Sequence, residues 1–168
     1  LSMDFRNGID VMTTETTCLS SIWQTDDEIR KFYAIHGRED AYRELAPDDG
    51  AYYDAMVELD LSEIESMIAL PFHPSNVYTI HEFNERAEEL LKKVEEEAHK
   101  KFKKANLKLT DKITGKGVLA NQGVIAGCSG GLFDNIDEAA QILDGKSTGS
   151  GYFGLNVYPT SVPVSLEL

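Results

Sequence analysis

An α/β fold is what this sequence predicts, on three observations. The stretch Gly123–Leu143 runs from an apolar strand, through the glycine-rich turn Gly127-Cys128-Ser129-Gly130-Gly131, into an amphipathic helix. Strand and helix patterns alternate along the chain, which favours sheets covered by helices. At 168 residues and 42% apolar, the chain is long enough to pack one domain or a piece of a larger one. In the central turn a thiol would sit at a strand's carboxyl end and beside a helix amino-terminus. Open α/β sheets gather their chemistry at that edge, and the free N–H groups of a helix end favour a thiolate. Three uses of Cys128 are open on these grounds: a metal or iron–sulfur ligand, a nucleophile, or a small buried residue.

Composition excludes several classes. A net charge of −13 and a pI near 4.6 argue against a general nucleic-acid surface, which needs a basic footprint. No run approaches the roughly 18 apolar residues of a membrane span, and the start lacks a signal-peptide core. A cytoplasmic protein is expected. Cys18 and Cys128 are far apart and do not read as a disulfide framework. Two cysteines cannot build a closed four-cysteine metal site.

From the start, Leu1-Ser2-Met3 is assigned no structure. Gly8–Trp23 carries only Asp10 and Glu15 as formal charges among small hydroxyl and apolar residues, and is expected to be buried. A carboxylate inside such a segment must be hydrogen-bonded, paired or functional. Glu15 is therefore a candidate site residue, its alternative being a structural carboxylate that caps backbone N–H groups. Thr25-Asp26-Asp27-Glu28 reads as a capping box for a helix that Gly37 ends. A short helix over Glu39–Leu45 is expected, stopped by Pro47, and Asp48-Asp49-Gly50 is a turn. Met56–Leu61 alternates and predicts a strand, with a helical turn from Ser62. Pro71-Phe72-His73-Pro74 is an extended loop.

Asn84 opens the longest expected helix, to about Asn106, with Phe83, Ala87, Leu90, Leu91, Val94, Ala98 and Phe102 on one face. Glu89/Lys93, Glu96/Lys100 and Glu97/Lys101 are spaced for ion pairs. The Lys100–Lys104 run reads as a solvated helix end rather than a phosphate site. Val118–Ala120 and Gly123–Gly127 form the strand region before Cys128. Leu132, Ile136, Ala139, Ala140 and Leu143 face one side of the next helix. Gly145-Lys146-Ser147 imitates a phosphate-binding loop, but Ala140 stands where its first glycine belongs and the triplet follows a helix instead of opening one. Tyr152–Tyr158 is a further strand. The chain is expected to be an internal piece of a longer polypeptide.

The turn around Cys128 also resembles a nucleophile elbow, which needs a histidine base within reach. His36, His73, His81 and His99 have no motif around them.

Several ordered segments resemble the aconitase family of iron–sulfur hydro-lyases. Met12-Thr13-Thr14-Glu15-Thr16-Thr17-Cys18-Leu19-Ser20-Ser21-Ile22-Trp23 is similar to its NMGAEIGATTSVF segment. Asp48-Asp49-Gly50-Ala51-Tyr52-Tyr53-Asp54, then Glu58-Leu59-Asp60-Leu61-Ser62-Glu63, is similar to PDSGCHYDQ…EINLSEL. Pro71-Phe72-His73-Pro74 resembles PFTP. Ile125-Ala126-Gly127-Cys128-Ser129-Gly130-Gly131-Leu132-Phe133-Asp134-Asn135 resembles IGSCTNSSYED, and Tyr158-Pro159-Thr160-Ser161 falls at TPGS. The pattern is nearest to a hydratase branch in which MTTETTCLSSIW and GCxGG are typical. The resemblance is colinear and covers nearly the whole chain.

That resemblance implies a three-layer α/β/α fold with a mostly parallel sheet, and residues 1–168 as a single α/β segment of the catalytic region. It implies a [4Fe–4S] cluster held by three thiolates, with Cys128 as one ligand and Glu15 hydrogen-bonding the iron-bound hydroxyl or water. The substrate would be a hydroxy-polycarboxylate, and the other partner the rest of the same polypeptide. The remaining ligands, in a CxxC, would lie outside these residues, so the segment alone is expected to hold no cluster and to be inactive. Cys18 is not at a ligand position and is expected to be a buried thiol. Ser129-Gly130 replaces the family's Thr-Asn, removing an amide beside the cluster cysteine. Two alternatives stand beside this reading: a non-catalytic module for small-acid binding or assembly, and a cysteine hydrolase.

Overall fold

A computed structural model describes residues 1–104, 106–149 and 151–168. In chain order the elements are α1 (Met3–Asp10), α2 (Thr13–Thr16), α3 (Asp27–Ile35), β1 (Met67–Ala69), β2 (Val77–Thr79), α4 (Ile80–Glu85), α5 (Ala87–Lys101), β3 (Ile113–Thr114), β4 (Gly117–Val118), β5 (Gln122–Ala126), α6 (Gly127–Gly130), α7 (Phe133–Leu143), β6 (Gly154–Tyr158) and α8 (Val162–Glu167). They divide into two compact units, Leu1–Met56 with Gln122–Leu168, and Val57–Asn121. No helix among the described residues is long and apolar enough to cross a membrane.

The mixed α/β class holds, and strand connections decide the sheets. A parallel neighbour needs a crossover of a dozen or more residues, whereas a short turn forces an antiparallel one. β5 and β6 are joined through α6 and α7 and pair in parallel, from Gln122↔Gly154 to Ala126↔Tyr158. β1–β2 and β3–β4 are joined by short turns and pair antiparallel. The described strands form three two-stranded sheets in place of one mostly parallel sheet.

In the first unit, α1 is an element the sequence reading missed. Ser2 caps it by accepting the Phe5 N–H. Its partner surface is α6 and α7. At Gly8, α1 and α6 come within ordinary contact: a Cβ there would lie 3.7 Å from the Ser129 carbonyl oxygen. Arg6 is 6% exposed and donates from both terminal nitrogens to Asp26, at 3.1 and 2.5 Å. Asp26, not Thr25, caps α3 by accepting the Glu28 and Ile29 N–H groups. Thr25 is occupied elsewhere, exchanging hydrogen bonds with the Leu45 backbone. The expected Glu39–Leu45 helix is one 3₁₀ turn, Glu39–Ala41.

Two further expectations in and beside this unit fail. Gly8–Trp23 is not buried: Leu19 is fully exposed and Ile22 77% exposed. The segment saturates its polar groups locally instead of packing. Thr16 Oγ1 donates to the Met12 carbonyl, and α2 stops after one turn at Thr17, in the left-handed region at φ 56°. Met56–Leu61 is exposed and forms no strand. At its end Asp60 accepts from the Ser62 N–H and hydroxyl and opens a 3₁₀ turn over Leu61–Glu63, a local bonding choice that competes with sheet pairing.

The second unit has its core under α5. Leu90 and Val94 are nearly inaccessible, and Leu70, Phe83 and Leu91 join them, with Ile68, Phe72, Tyr78, Leu109 and Val118 around the edge. Thr79 caps α4 by accepting the Glu82 N–H. The long helix is broken into α4 and α5 at Arg86, whose φ of −113° leaves helical geometry. Arg86 ties the halves together through Glu82 and Glu89. α5 ends at Lys101, so Phe102 is 57% exposed and not on the buried face. Of the expected ion pairs, Lys93 to Glu89 and Lys101 to Glu97 form. Glu95 accepts from Thr110, and these hydrogen bonds hold its carboxyl below the usual range.

Candidate functional site

The carboxyl edge of the β5–β6 pair is built by glycines. Ala126 is extended, and the chain then turns at Gly127, whose φ of 88° favours glycine. α6 follows as a single turn carrying Cys128. It closes where the Gly131 N–H donates to the Gly127 carbonyl at 3.0 Å. Gly131 then accepts the Thr160 N–H at 2.8 Å, tying the turn to the loop after β6. A Cβ on Gly131 would lie 2.6 Å from the Tyr158 carbonyl oxygen and 2.8 Å from that of Gly127. All of these atoms are backbone, so nothing can swing aside. Asn135 Nδ2 donates to the Ser129 carbonyl at 2.9 Å, bracing the turn from α7. Cys128 is thus presented at the carboxyl end of the parallel pair, with Pro159-Thr160-Ser161 gathered at the same edge.

Cys128 is exposed, so its reading as a small buried residue is set aside. Cys18, expected to be buried, is also exposed, with its sulfur 3.0 Å from Thr16 Oγ1. Glu15 lies on the single turn of α2 and is exposed. Among the described residues no hydrogen bond joins Glu15 to Cys128, and Glu15 caps no backbone N–H. The partnered carboxylate of its segment is Asp10, which accepts from Ser21 Oγ at 2.5 Å and Trp23 Nε1 at 2.8 Å.

The nucleophile reading lacks its base. His36 and His99 bond to carbonyls one turn back on their own helices. His73 bonds to Ser75, and His81 stands 3.4 Å from Glu85. Each imidazole is engaged locally, and none is bonded to Cys128 among the described residues.

The sequence reading also missed a junction of carboxylates. Asp4 of α1 accepts the Asp134 N–H at the start of α7, and Asp134 accepts the Ser2 hydroxyl. Its signal in the sequence is Ser2-Met3-Asp4, a serine cap with an acid in the first turn. Here an aspartate satisfies a free N–H of a helix end with a carboxylate from another helix. A groove of about 530 Å³ opens beside it, lined by Phe32, Ile35, Phe133, Thr160 and Val164 among others, and neither Cys128 nor Glu15 lines it.

Among the described residues no three Cys, His, Asp or Glu side chains converge as a metal site. An exposed thiol on a glycine-framed turn fits one thiolate ligand of an iron–sulfur cluster. The described donor set goes no further than that single ligand.

Comparison with known proteins gives a consistent result. The family model described as the aconitase family (aconitate hydratase) matches residues 1–168. The chain is 28% identical over 151 residues to the 2,3-dimethylmalate dehydratase large subunit of Eubacterium barkeri, covering 90% of this chain and 28% of that protein. It is 26% identical over 167 residues to the 3-isopropylmalate dehydratase large subunit 2 of Archaeoglobus fulgidus, covering 99% of this chain and 32% of the relative. It is 25% identical over 167 residues to the 3-isopropylmalate dehydratase large subunit of Lachnoclostridium phytofermentans, with the same coverage of 99% and 32%. The chain spans about a third of the length of these curated relatives.

Proposed function

This chain belongs to the aconitase family, and from that premise we propose that it is a segment of the catalytic region of a cytoplasmic hydro-lyase. The reaction is removal of water from a hydroxy acid bearing two or more carboxylates, and its return across the resulting double bond. Relatives named for dehydration of substituted malates support that substrate class. The observation that carries the reading is the family match over the whole chain, together with an exposed Cys128 at the carboxyl edge of a parallel strand pair.

Cys128 is proposed as one of three thiolates for a [4Fe–4S] cluster whose other ligands lie outside these residues. A bound cluster supplies a Lewis-acidic iron that polarises the leaving hydroxyl. The chain's own residues have separate tasks. Gly127 and Gly131 fix where the Cys128 sulfur is presented. Glu15 is proposed to accept a hydrogen bond from the substrate hydroxyl or the incoming water, in the longer protein where further segments complete the site. By itself the 168-residue segment is expected to hold no cluster and to show no turnover.

The test uses the full-length protein, reconstituted anaerobically with iron and sulfide, beside its Cys128→Ser and Glu15→Gln variants. We expect a thiolate-to-iron absorbance band that Cys128→Ser loses or weakens. With the band retained, we expect Glu15→Gln to lower kcat for hydroxydicarboxylate dehydration by about 10²-fold or more, the scale of a lost proton-transfer or orienting group. A band indifferent to Cys128→Ser would remove the ligand assignment and leave the binding-module reading ahead.

A further inference from the structure

The turn that presents Cys128 is pinned at both ends by backbone and in its middle by one side chain. The Gly127 carbonyl accepts the Gly131 N–H at 3.0 Å, and the Gly131 carbonyl accepts the Thr160 N–H at 2.8 Å. Cys128, Ser129 and Gly130 lie between these anchors. A single helical turn leaves its last carbonyls without partners of their own. That of Ser129, the residue after the cysteine, accepts from Asn135 Nδ2 at 2.9 Å. A carbonyl can only accept, so the nitrogen of the amide and not its oxygen must face it. Among the described residues no other side chain bonds to the backbone of residues 127–131.

Asn135 is a fixed post for this contact. It is the third residue of α7, beside the buried Ile136 and behind Asp134, whose N–H is held by Asp4 of α1. The turn is the yielding side. Gly130 and Gly131 follow Ser129, and glycine has the most backbone freedom to lose. A Cβ at Gly130 would meet nothing within 4 Å, so packing does not restrain the chain there. The turn also has no amide side chain of its own. Ser129-Gly130 stands where the resembled motif has Thr-Asn, and Asn135 stands where that motif ends in Asp. The amide is therefore found on α7 instead of in the turn, and an ionised aspartate at 135 could not donate to the carbonyl.

We propose that Asn135 is a positioning residue for Cys128: its amide holds the Ser129 carbonyl, and through it the backbone that aims the Cys128 sulfur at the cluster. The role rests on the hydro-lyase reading, which gives the thiol a cluster to meet. Asn135 touches no reacting atom. It keeps the turn in one arrangement, so that the thiolate reaches iron already oriented.

The test uses the full-length protein with two variants. Asn135→Ala removes the amide and favours the helix, and Asn135→Gln keeps an amide on a longer arm. Hydrogen exchange is measured first, before iron is added. We expect the Gly131 N–H to exchange about three- to tenfold faster in Asn135→Ala, the scale of one surface hydrogen bond. We expect β5 and the rest of α7 to be unchanged, and Asn135→Gln to stay near the parent. The proteins are then reconstituted anaerobically with iron and sulfide, and cluster loss to a chelator is followed by absorbance. We expect loss several-fold faster in Asn135→Ala and restored by Asn135→Gln, at equal urea midpoints. Equal exchange in the parent and Asn135→Ala overturns the bracing, and Asn135→Gln as loose as Asn135→Ala overturns its assignment to the amide. Faster exchange with unchanged cluster retention overturns the positioning role. A urea midpoint lowered enough to account for both effects makes the residue a structural one and overturns the role as well. A parent that takes up no cluster removes the hydro-lyase reading, and this role with it, whatever the exchange rates.

Discussion

Gly131 is where a single atom decides the candidate site. Any side chain there would drive a Cβ into the Tyr158 and Gly127 carbonyls. We expect Gly131→Ala to destabilise the protein by about 2–4 kcal/mol, the range of a strained or overpacked position. The check is a shift of the urea midpoint, read beside Gly130→Ala, where open space makes the change mild. Asp26 carries a pH prediction. The Arg6 guanidinium and two helix N–H groups lower its carboxyl to about 2, from an ordinary 3.8. A depressed folded-state value stabilises fully above the unfolded value and is lost as pH falls towards 2. The stability gap between parent and Asp26→Asn should therefore be full at pH 6 and shrink steadily in urea unfolding from pH 4 to pH 2. At this scale the sequence was partly legible. Glycine spacing marked the turn at Cys128 correctly. A capping box names residue types, which point to Thr25, and nothing in those types reveals that Leu45 occupies its hydroxyl.

Elements were legible where one periodicity ruled. The stripe Ala87, Leu90, Leu91, Val94 and Ala98 is the buried face of α5. We expect Leu90→Ala to cost about 3 kcal/mol, the usual result of emptying a well-packed leucine site. Phe102→Ala, past the helix end, should cost no more than about 1 kcal/mol, the loss of its ring contact with Phe72. Denaturation of both variants checks the contrast. Illegible features had no local signature. Arg86 is a good helix former, so the break between α4 and α5 cannot be read from it. Met56–Leu61 alternates as a strand should, but a strand needs a neighbour, and alternation says nothing about whether one is at hand. Gly8–Trp23 has few charges, the mark of a buried segment, yet Thr16 and Ser21 satisfy their hydroxyls within the segment itself. The candidate site was legible in the same uneven way: Cys128 is located by its turn, while nothing in the residues around Glu15 told that it would be exposed on a single helical turn.

At the scale of the molecule, charge dominates. A net charge of −13 repels itself more than the surface ion pairs of α4 and α5 can offset. Raising salt from about 10 mM to about 0.1 M shortens the screening length from about 30 Å to about 10 Å. We expect the melting midpoint to rise by a few degrees over that range, the opposite of a fold held together by its salt bridges; scanning calorimetry at the two salt levels measures it. One arrangement has a consequence for how the chain is made. Ser2 and Asp134 meet across 132 residues, and the whole of Val57–Asn121 lies between the two halves of the first unit. Synthesis runs from the amino end at roughly 5–20 residues per second. On a ribosome the inserted unit is therefore complete while α1 still waits for α6 and α7. For several seconds α1 must keep Arg6 and its apolar face from other partners, with α3 as its neighbour among the described residues already made. Arrested nascent chains should resist protease over Val57–Asn121 before they do over α1, and the earlier-made helix would settle after the later-made unit.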